Sequence, residues 1–131
     1  MEINKSLLDN LLEQAAASPR LRMNYDLRTS LEDGSQRMLN AMLPGTVLPI
    51  HRHTKTTEVL VLLRGRMEEI FYEENPLRET SRVLLEAGGD VQGLSIPVGQ
   101  WHGINVLEPT VILECKNGAY EPLAQEDMIE V

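Results

Sequence analysis

The start of the chain carries apolar residues at helical spacing. One stripe of this pattern holds Leu7, Leu8, Leu11, Leu12 and Ala15, and polar residues lie opposite. The pattern predicts a helix over residues 4–17. It ends before Ser18-Pro19, because the residue before proline avoids the helical conformation. We treat residues 1–19 as an N-terminal unit whose helix covers one side of the domain or docks on a second subunit.

After residue 20 the period of the apolar positions changes from helical to alternating, which is typical of strands. Strands are predicted over residues 21–28, 36–43, 46–53, 58–64, 66–72, 81–85, 93–96, 102–107 and 110–116. Residues 58–64 (EVLVLLR) are apolar on both faces, which predicts a strand buried on both sides. Many short strands separated by turn residues indicate an all-β sandwich or barrel over residues 20–131.

Length and charge restrict the class of protein. The 131 residues suit one domain, and 12 Lys+Arg against 20 Asp+Glu give a net charge of −8. A nucleic-acid or anionic membrane partner is disfavoured, because both need a basic face. We expect the acidic pair Glu68-Glu69 to be solvated. With a lone cysteine, Cys115, no basic leader and no apolar stretch of about 20 residues, the sequence predicts a soluble, cytoplasmic protein.

The histidines suggest metal chemistry. His51 and His53 have the i, i+2 spacing that places two side chains on one face of a strand, and His102 follows a turn containing Pro97. Strict alternation would put Glu58 on the wrong face, but a bend or bulge in residues 54–57 can reset it. Imidazole and carboxylate suit one divalent transition metal (Fe, Mn, Ni, Co or Zn). The competing interpretation is that these are ordinary surface or core histidines, and the joint pattern favours the metal.

Two motifs in the sequence resemble the cupin superfamily. Gly45, residues 51–53, Glu58 and Gly65 match the spacing of the first cupin motif, and residues 97–102 (PVGQWH) resemble the second. The resemblance implies an all-β, single-domain cupin, a jelly-roll β-barrel preceded here by an N-terminal α-helix. The metal ligands that it implies at the matching positions are His51, His53, Glu58 and His102.

A narrower resemblance is to the WbuC family of cupin-fold metalloproteins. It rests on residues 18–24 (SPRLRMN), Gln36-Arg37, Asn40-Ala41, residues 44–46 (PGT) and residues 51–53 (HRH). Genes of that family often lie among those for bacterial surface polysaccharide assembly. The WbuC resemblance points to a sugar or nucleotide sugar as the ligand. The cupin resemblance implies a homodimer and, for an enzyme, a metal-dependent isomerase, epimerase or dioxygenase. The alternative is a non-catalytic, metal-dependent module that binds a small molecule.

Several polar residues are candidates for contacts with an anionic or sugar-like ligand. They are Arg22 and Asn24 on the first predicted strand, Arg37 and Asn40 on the second, and Trp101 beside the last histidine. A guanidinium matches a carboxylate or phosphate, and an indole stacks on a sugar ring. A regular strand cannot point both Arg37 and Asn40 inward. Solvated strand positions and a core tryptophan are the competing interpretations.

Overall fold

The computed structural model describes residues 1–130 and contains one helix and two antiparallel sheets. The elements are α1 (Lys5–Ala17), β1 (Arg22–Asp26), β2 (Ser35–Met42), β3 (Ile50–His51), β4 (Glu58–Arg64), β5 (Arg66–Glu73), β6 (Arg78–Glu86), β7 (Gly93–Ile96), β8 (Trp101–Val106), β9 (Thr110–Asn117) and β10 (Met128–Ile129). The first sheet has the order β1-β2-β9-β4-β7, and the second has the order β10-β3-β8-β5-β6. The predicted all-β class with an N-terminal helix is confirmed.

The predicted closed barrel is wrong. Each sheet has five strands, and no strand pairing within residues 1–130 joins one sheet to the other. Both sheets therefore keep their edge strands, and the fold is an open sandwich whose two inner faces enclose the interior. The predicted strand over residues 46–53 shrinks to the two residues of β3, while β10 and the short 3₁₀ turn Gln125–Asp127 have no counterpart in the sequence prediction.

Helix α1 packs on the outer face of the first sheet. Its N-terminus is capped by Asn4, whose side chain accepts a hydrogen bond of 2.9 Å from the Leu7 amide. Buried residues of the helix and of the sheet beneath it form one apolar cluster: Leu8, Leu11, Ala15, Leu39, Ala41 and Val111. The helix thus covers one side of the domain. Within the described part of the chain, no helix is long and apolar enough to cross a membrane.

Strand β4 is buried on one face only, so the prediction of two-sided burial is wrong. Val59, Val61 and Leu63 are 45%, 39% and 37% exposed, while alternate residues point into the sandwich. The reason is the position of α1, which packs mainly on β1, β2 and β9 and reaches the end of β4 through the Asp9–Arg64 ion pair. Apolar composition alone could not show which part of the sheet the helix would cover.

The apolar core fills one end of the sandwich interior. It contains Met42, Leu60, Leu62, Met67, Leu85, Ile96, Val106 and Ile112. The turn between β4 and β5 lies near this end and needs glycine: Gly65 has φ +94°, and a Cβ there would lie 2.3 Å from the Pro109 carbonyl oxygen. The other end of the interior is polar, and all three histidines lie there.

Candidate metal centre and cavity

The structure brings the three histidines together. His51 ends β3 and pairs in register with His102 on β8, and His53 follows in the next loop. Their ligand nitrogens all lie within 4.8 Å of one another. Three imidazoles at this separation can bind a single transition-metal ion.

Two loops are fixed relative to each other beside this cluster. The Gly99 amide donates a hydrogen bond of 2.8 Å to the His53 carbonyl, which ties the turn before β8 to the loop after β3. Gly99 has φ +81°, in the left-handed region where glycine is favoured. The Pro-x-Gly turn therefore holds both His53 and the start of the strand that carries His102.

The ring nitrogens are arranged for metal binding. The Nδ1 atom of His51 lies 3.0 Å from the Pro49 carbonyl oxygen, and that of His102 lies 2.9 Å from the Gln100 carbonyl oxygen. A carbonyl only accepts, so each Nδ1 donates and each Nε2 keeps its lone pair. The Nε2 atoms of His53 and His102 are buried without a hydrogen-bond partner. Buried nitrogen lone pairs without partners fit a metal ion.

Glu58 reaches the same cluster from the opposite sheet. Its Oε1 lies 3.3 Å from His53 Nε2, a contact that is not aligned as a hydrogen bond. Residues 52–57 carry the chain from β3 in the second sheet to β4 in the first, where Glu58 is the first residue. The bend or bulge expected in residues 54–57 is therefore a loop that crosses between the sheets, and strand alternation does not relate Glu58 to His51 and His53.

The protonation states agree with a ligand set. Burial lowers the pKa of His51 to about 4, and the neighbouring His102 adds to this effect. Burial also lowers the pKa of His102. Burial opposes ionisation of Glu58, but its contact with His53 and the Lys116 ammonium outweigh it and lower its pKa to about 2. At neutral pH both imidazoles are neutral and the carboxylate is ionised, which are the forms that bind metal.

The histidines border a cavity of about 810 Å³ between the sheets. Of the candidate ligand-contacting residues, Arg22, Asn24 and Asn40 line it. Arg37 does not: its guanidinium pairs with Asp33 at 2.6 Å and borders a smaller pocket of about 190 Å³. This agrees with the expectation that Arg37 and Asn40 do not both point inward from β2.

Trp101 lies outside the cavity as well. It is 5% exposed, and the Arg52 guanidinium stacks over its ring with the Cζ atom 4.7 Å from the ring centroid. Neighbouring residues on a strand point to opposite faces, so Trp101 faces away from the side on which His102 lies. Arg52 also pairs with Asp127 at 2.8 Å, and this links the loop after β3 to the segment that precedes β10.

A second polar group lines the cavity, and we call it the polar wall: Asn40, Glu69, Glu114 and Lys116. Sequence reasoning named Asn40 as a candidate and missed the other three. Glu69 is 1% exposed, so the expectation that it is solvated is wrong. It shares the inner face of β5 with Met67, two residues away, and this alternation is the signal that could have found it. Lys116 lies opposite Glu58 in the register of β4 and β9.

Contacts within the polar wall extend to the metal centre. The Lys116 Nζ atom lies 3.2 Å from Glu114 Oε2 and 3.6 Å from Glu58 Oε1. The Asn40 amide donates a hydrogen bond to the Glu114 carboxylate. Burial raises the pKa of Glu114, with the Glu58 carboxylate adding to it. Burial and the same carboxylate raise the pKa of Glu69 well above its usual range.

Comparison with known proteins gives a family and a fold. Residues 3–84 match the model of a family described as a domain of unknown function, DUF6016. This region includes His51, His53 and Glu58 but not His102. A search of curated proteins finds no match.

Several solved structures share the fold. The capsular polysaccharide assembling protein CapF from Staphylococcus aureus matches with a TM-score of 0.67 at 23% identity, over 87% of this chain and 33% of the CapF chain. Oxalate oxidase in complex with the substrate analogue glycolate matches with a TM-score of 0.59 at 19% identity, over 78% of this chain and 53% of that one. KdgF from Halomonas sp. matches with a TM-score of 0.56 at 15% identity, over 79% of this chain and 84% of the KdgF chain.

These likenesses establish a cupin fold for the chain. The chain spans about a third of the length of the CapF chains that it matches.

Proposed function

The chain belongs to the DUF6016 family and has the cupin fold, and from these premises we propose that it binds one divalent transition metal. The ligands are His51, His53, Glu58 and His102. The observation that carries this proposal is the cluster of three imidazoles beside an ionised Glu58, in which the Nε2 atoms of His53 and His102 are buried without a partner. We further propose that the protein acts on or binds a small oxygen-rich molecule, a sugar or a nucleotide sugar.

The protein residues supply a rigid, preorganised site. When bound, the metal would act as a Lewis acid on an oxygen of the ligand or lower the pKa of a bound water. The carbonyls of Pro49 and Gln100 hold the rings of His51 and His102 in the tautomer that leaves Nε2 free. The Lys116 ammonium lies 3.6 Å from Glu58 Oε1, the same oxygen that contacts His53, and helps to hold the carboxylate in place. Such supports orient ligands and raise metal affinity.

The size of the cavity and the resemblances support a sugar-like ligand. A space of about 810 Å³ lies within the usual range for small-molecule sites. CapF is described as a capsular polysaccharide assembling protein, and the WbuC resemblance points to the same kind of pathway. We therefore propose a role in bacterial surface-polysaccharide metabolism, with a metal-dependent isomerase, epimerase or dioxygenase as the enzymatic form. Homodimer formation and a cytoplasmic location remain predictions.

A non-catalytic binding module is the second candidate. It is favoured by the absence, among residues 1–130, of any histidine beyond the proposed ligands that could serve as a general base. The enzyme is favoured by titratable groups of the polar wall in the same cavity. A thermal-shift screen of the metal-loaded protein against sugars and nucleotide sugars, followed by product analysis of each hit, separates the two candidates.

The metal assignment has a direct test. Elemental analysis of the purified protein should show close to one transition metal per chain. We expect the double variant His51→Ala, His53→Ala to lose it, because two of three imidazoles are removed. Glu58→Gln should weaken metal binding, and Glu68→Gln, on the outer face of the second sheet, is the matched control that should retain it. Full metal retention by the double histidine variant would overturn the proposal.

A further inference from the structure

Two buried polar atoms on the cavity wall have no partner. Glu69 Oε2 on β5 and Asn40 Oδ1 on β2 lack hydrogen bonds, and both residues line the cavity. They belong to opposite sheets, so they approach the cavity from two sides. Buried polar atoms are rarely left without partners because their desolvation costs free energy. Neither residue is among the proposed metal ligands, so the metal does not satisfy them.

The cationic side chains along the cavity differ in whether a carboxylate pairs with them. The Lys116 ammonium in the polar wall already pairs with the carboxylates of Glu58 and Glu114. It therefore offers no free positive charge to a ligand. Arg22, on the edge strand β1, lines the same cavity, and among residues 1–130 no carboxylate pairs with it. A guanidinium without a partner suits one carboxylate of a ligand.

We propose that Glu69 and Asn40 bind hydroxyl groups of the ligand and that Arg22 binds its carboxylate, so that the ligand class is the sugar acids. This inference deepens the proposed function and rests on it for the metal. The unpartnered oxygens Glu69 Oε2 and Asn40 Oδ1 can each accept a hydrogen bond from a hydroxyl. A hydroxyl satisfies either group. The diphosphate of a nucleotide sugar would need more free positive charge than one arginine supplies.

Calorimetric titration of the metal-loaded protein tests this assignment. The probes are D-gluconate and D-glucuronate, which carry hydroxyls and a carboxylate, with n-hexanoate as a carboxylate without hydroxyls and D-glucose as a sugar without a carboxylate. At least one sugar acid should bind, and it should bind more tightly than the two control compounds. Failure of both sugar acids to bind would overturn the proposal.

Variants then assign the contacts. Glu69→Leu should weaken the binding of the sugar acid about tenfold and leave the metal content unchanged, because it removes a hydrogen-bond partner but no metal ligand. Glu68→Leu, the neighbour on the outer face, is the matched control and should bind like the wild type. Arg22→Gln should weaken sugar-acid binding about tenfold and leave D-glucose binding unchanged. If Glu69→Leu binds the sugar acid with wild-type affinity, the proposed contact between the polar wall and the ligand is wrong.

The metal assignment and the assignment of the polar wall to ligand binding can fail separately. If the purified protein holds no metal after reconstitution, the proposed function is wrong. The same titrations on the metal-free protein then still measure the effects of Glu69→Leu and Arg22→Gln. If the metal is present but both variants bind sugar acids like the wild type, the metal site stands and the assignment of the wall and the ligand class is rejected.

Discussion

The two ends of the sandwich interior are built from the same strands but hold opposite kinds of side chain. On β5, Met67 lies in the apolar core and Glu69 lies in the polar wall. On β9, Ile112 lies in the core, and Glu114 lies in the wall. Two residues along a strand cover roughly 7 Å. On each of these strands the interior therefore changes from apolar core to polar site between one inward-facing residue and the next.

The two ends also differ in how well their groups are satisfied. The apolar end contains packed aliphatic side chains. The polar end contains buried atoms without partners on His53, His102, Glu69 and Asn40. Groups that lower stability persist where function requires them, so the difference locates the functional end of the molecule. The following predictions test this difference, from the largest expected effect to the smallest.

The largest effect should come from the polar end. Lys116→Met removes the positive charge that pairs with Glu58 and Glu114, and it leaves two buried carboxylates uncompensated. Breaking a buried ion pair from one side costs about 3–5 kcal/mol of unfolding free energy. Chemical denaturation of the metal-free wild type and variant measures this loss of unfolding free energy. A bound metal should reduce the loss by compensating Glu58, and a loss under about 1 kcal/mol would show that the wall is well solvated.

A cavity in the apolar end should affect stability without affecting the metal. Leu85→Ala removes a fully buried side chain of the core and should cost about 2–5 kcal/mol. Leu84→Ala, at the adjacent position and 39% exposed, is the matched control and should cost less than about 1 kcal/mol. Both variants should hold the wild-type amount of metal. Metal loss in a folded Leu85→Ala protein would mean that the two ends are not independent.

The smallest effect should appear as a pH dependence at Glu69. Its pKa in the folded protein is raised, chiefly by burial, so its contribution to stability is fully present below about pH 4.5 and is lost as the pH rises. Glu69→Gln lacks this titration. Relative to the wild type it should gain stability above pH 4.5, by at most about 1.4 kcal/mol for each pH unit. Denaturation curves at several pH values measure the gain.

The cluster of three histidines could be predicted from the sequence because the spacing of its members reflects local geometry. His51 and His53 show the i, i+2 pattern, and the turn before His102 contains the required glycine. For the path to Glu58 the sequence suggested a bend or a bulge, and the structure shows a loop that crosses between the sheets. A loop that crosses between sheets and a bulge within one strand leave the same polar residues in the sequence, and strand pairing alone distinguishes them.

Asn40 was named from the sequence, but the polar wall as a group could not be predicted because its members are distant in the chain. Asn40, Glu69 and Glu114 come from three strands, and their proximity depends on the order of strands in two sheets. The exposure of Val59 likewise depends on where α1 packs. No local pattern contains this information, because a residue's neighbours across a sheet are set by long-range pairing.

By itself, the sequence determined the helix, most of the strands, the turn glycines and the four residues expected to bind metal. These features follow from backbone preferences and side-chain periodicity, which act over a few residues. The tertiary structure alone decided that the sheets stay open, that Glu58 faces the histidines from the opposite sheet and that Glu69 and Lys116 are buried beside them. Those outcomes depend on which strands pair and on which face each helix or sheet covers, and these are properties of the whole chain.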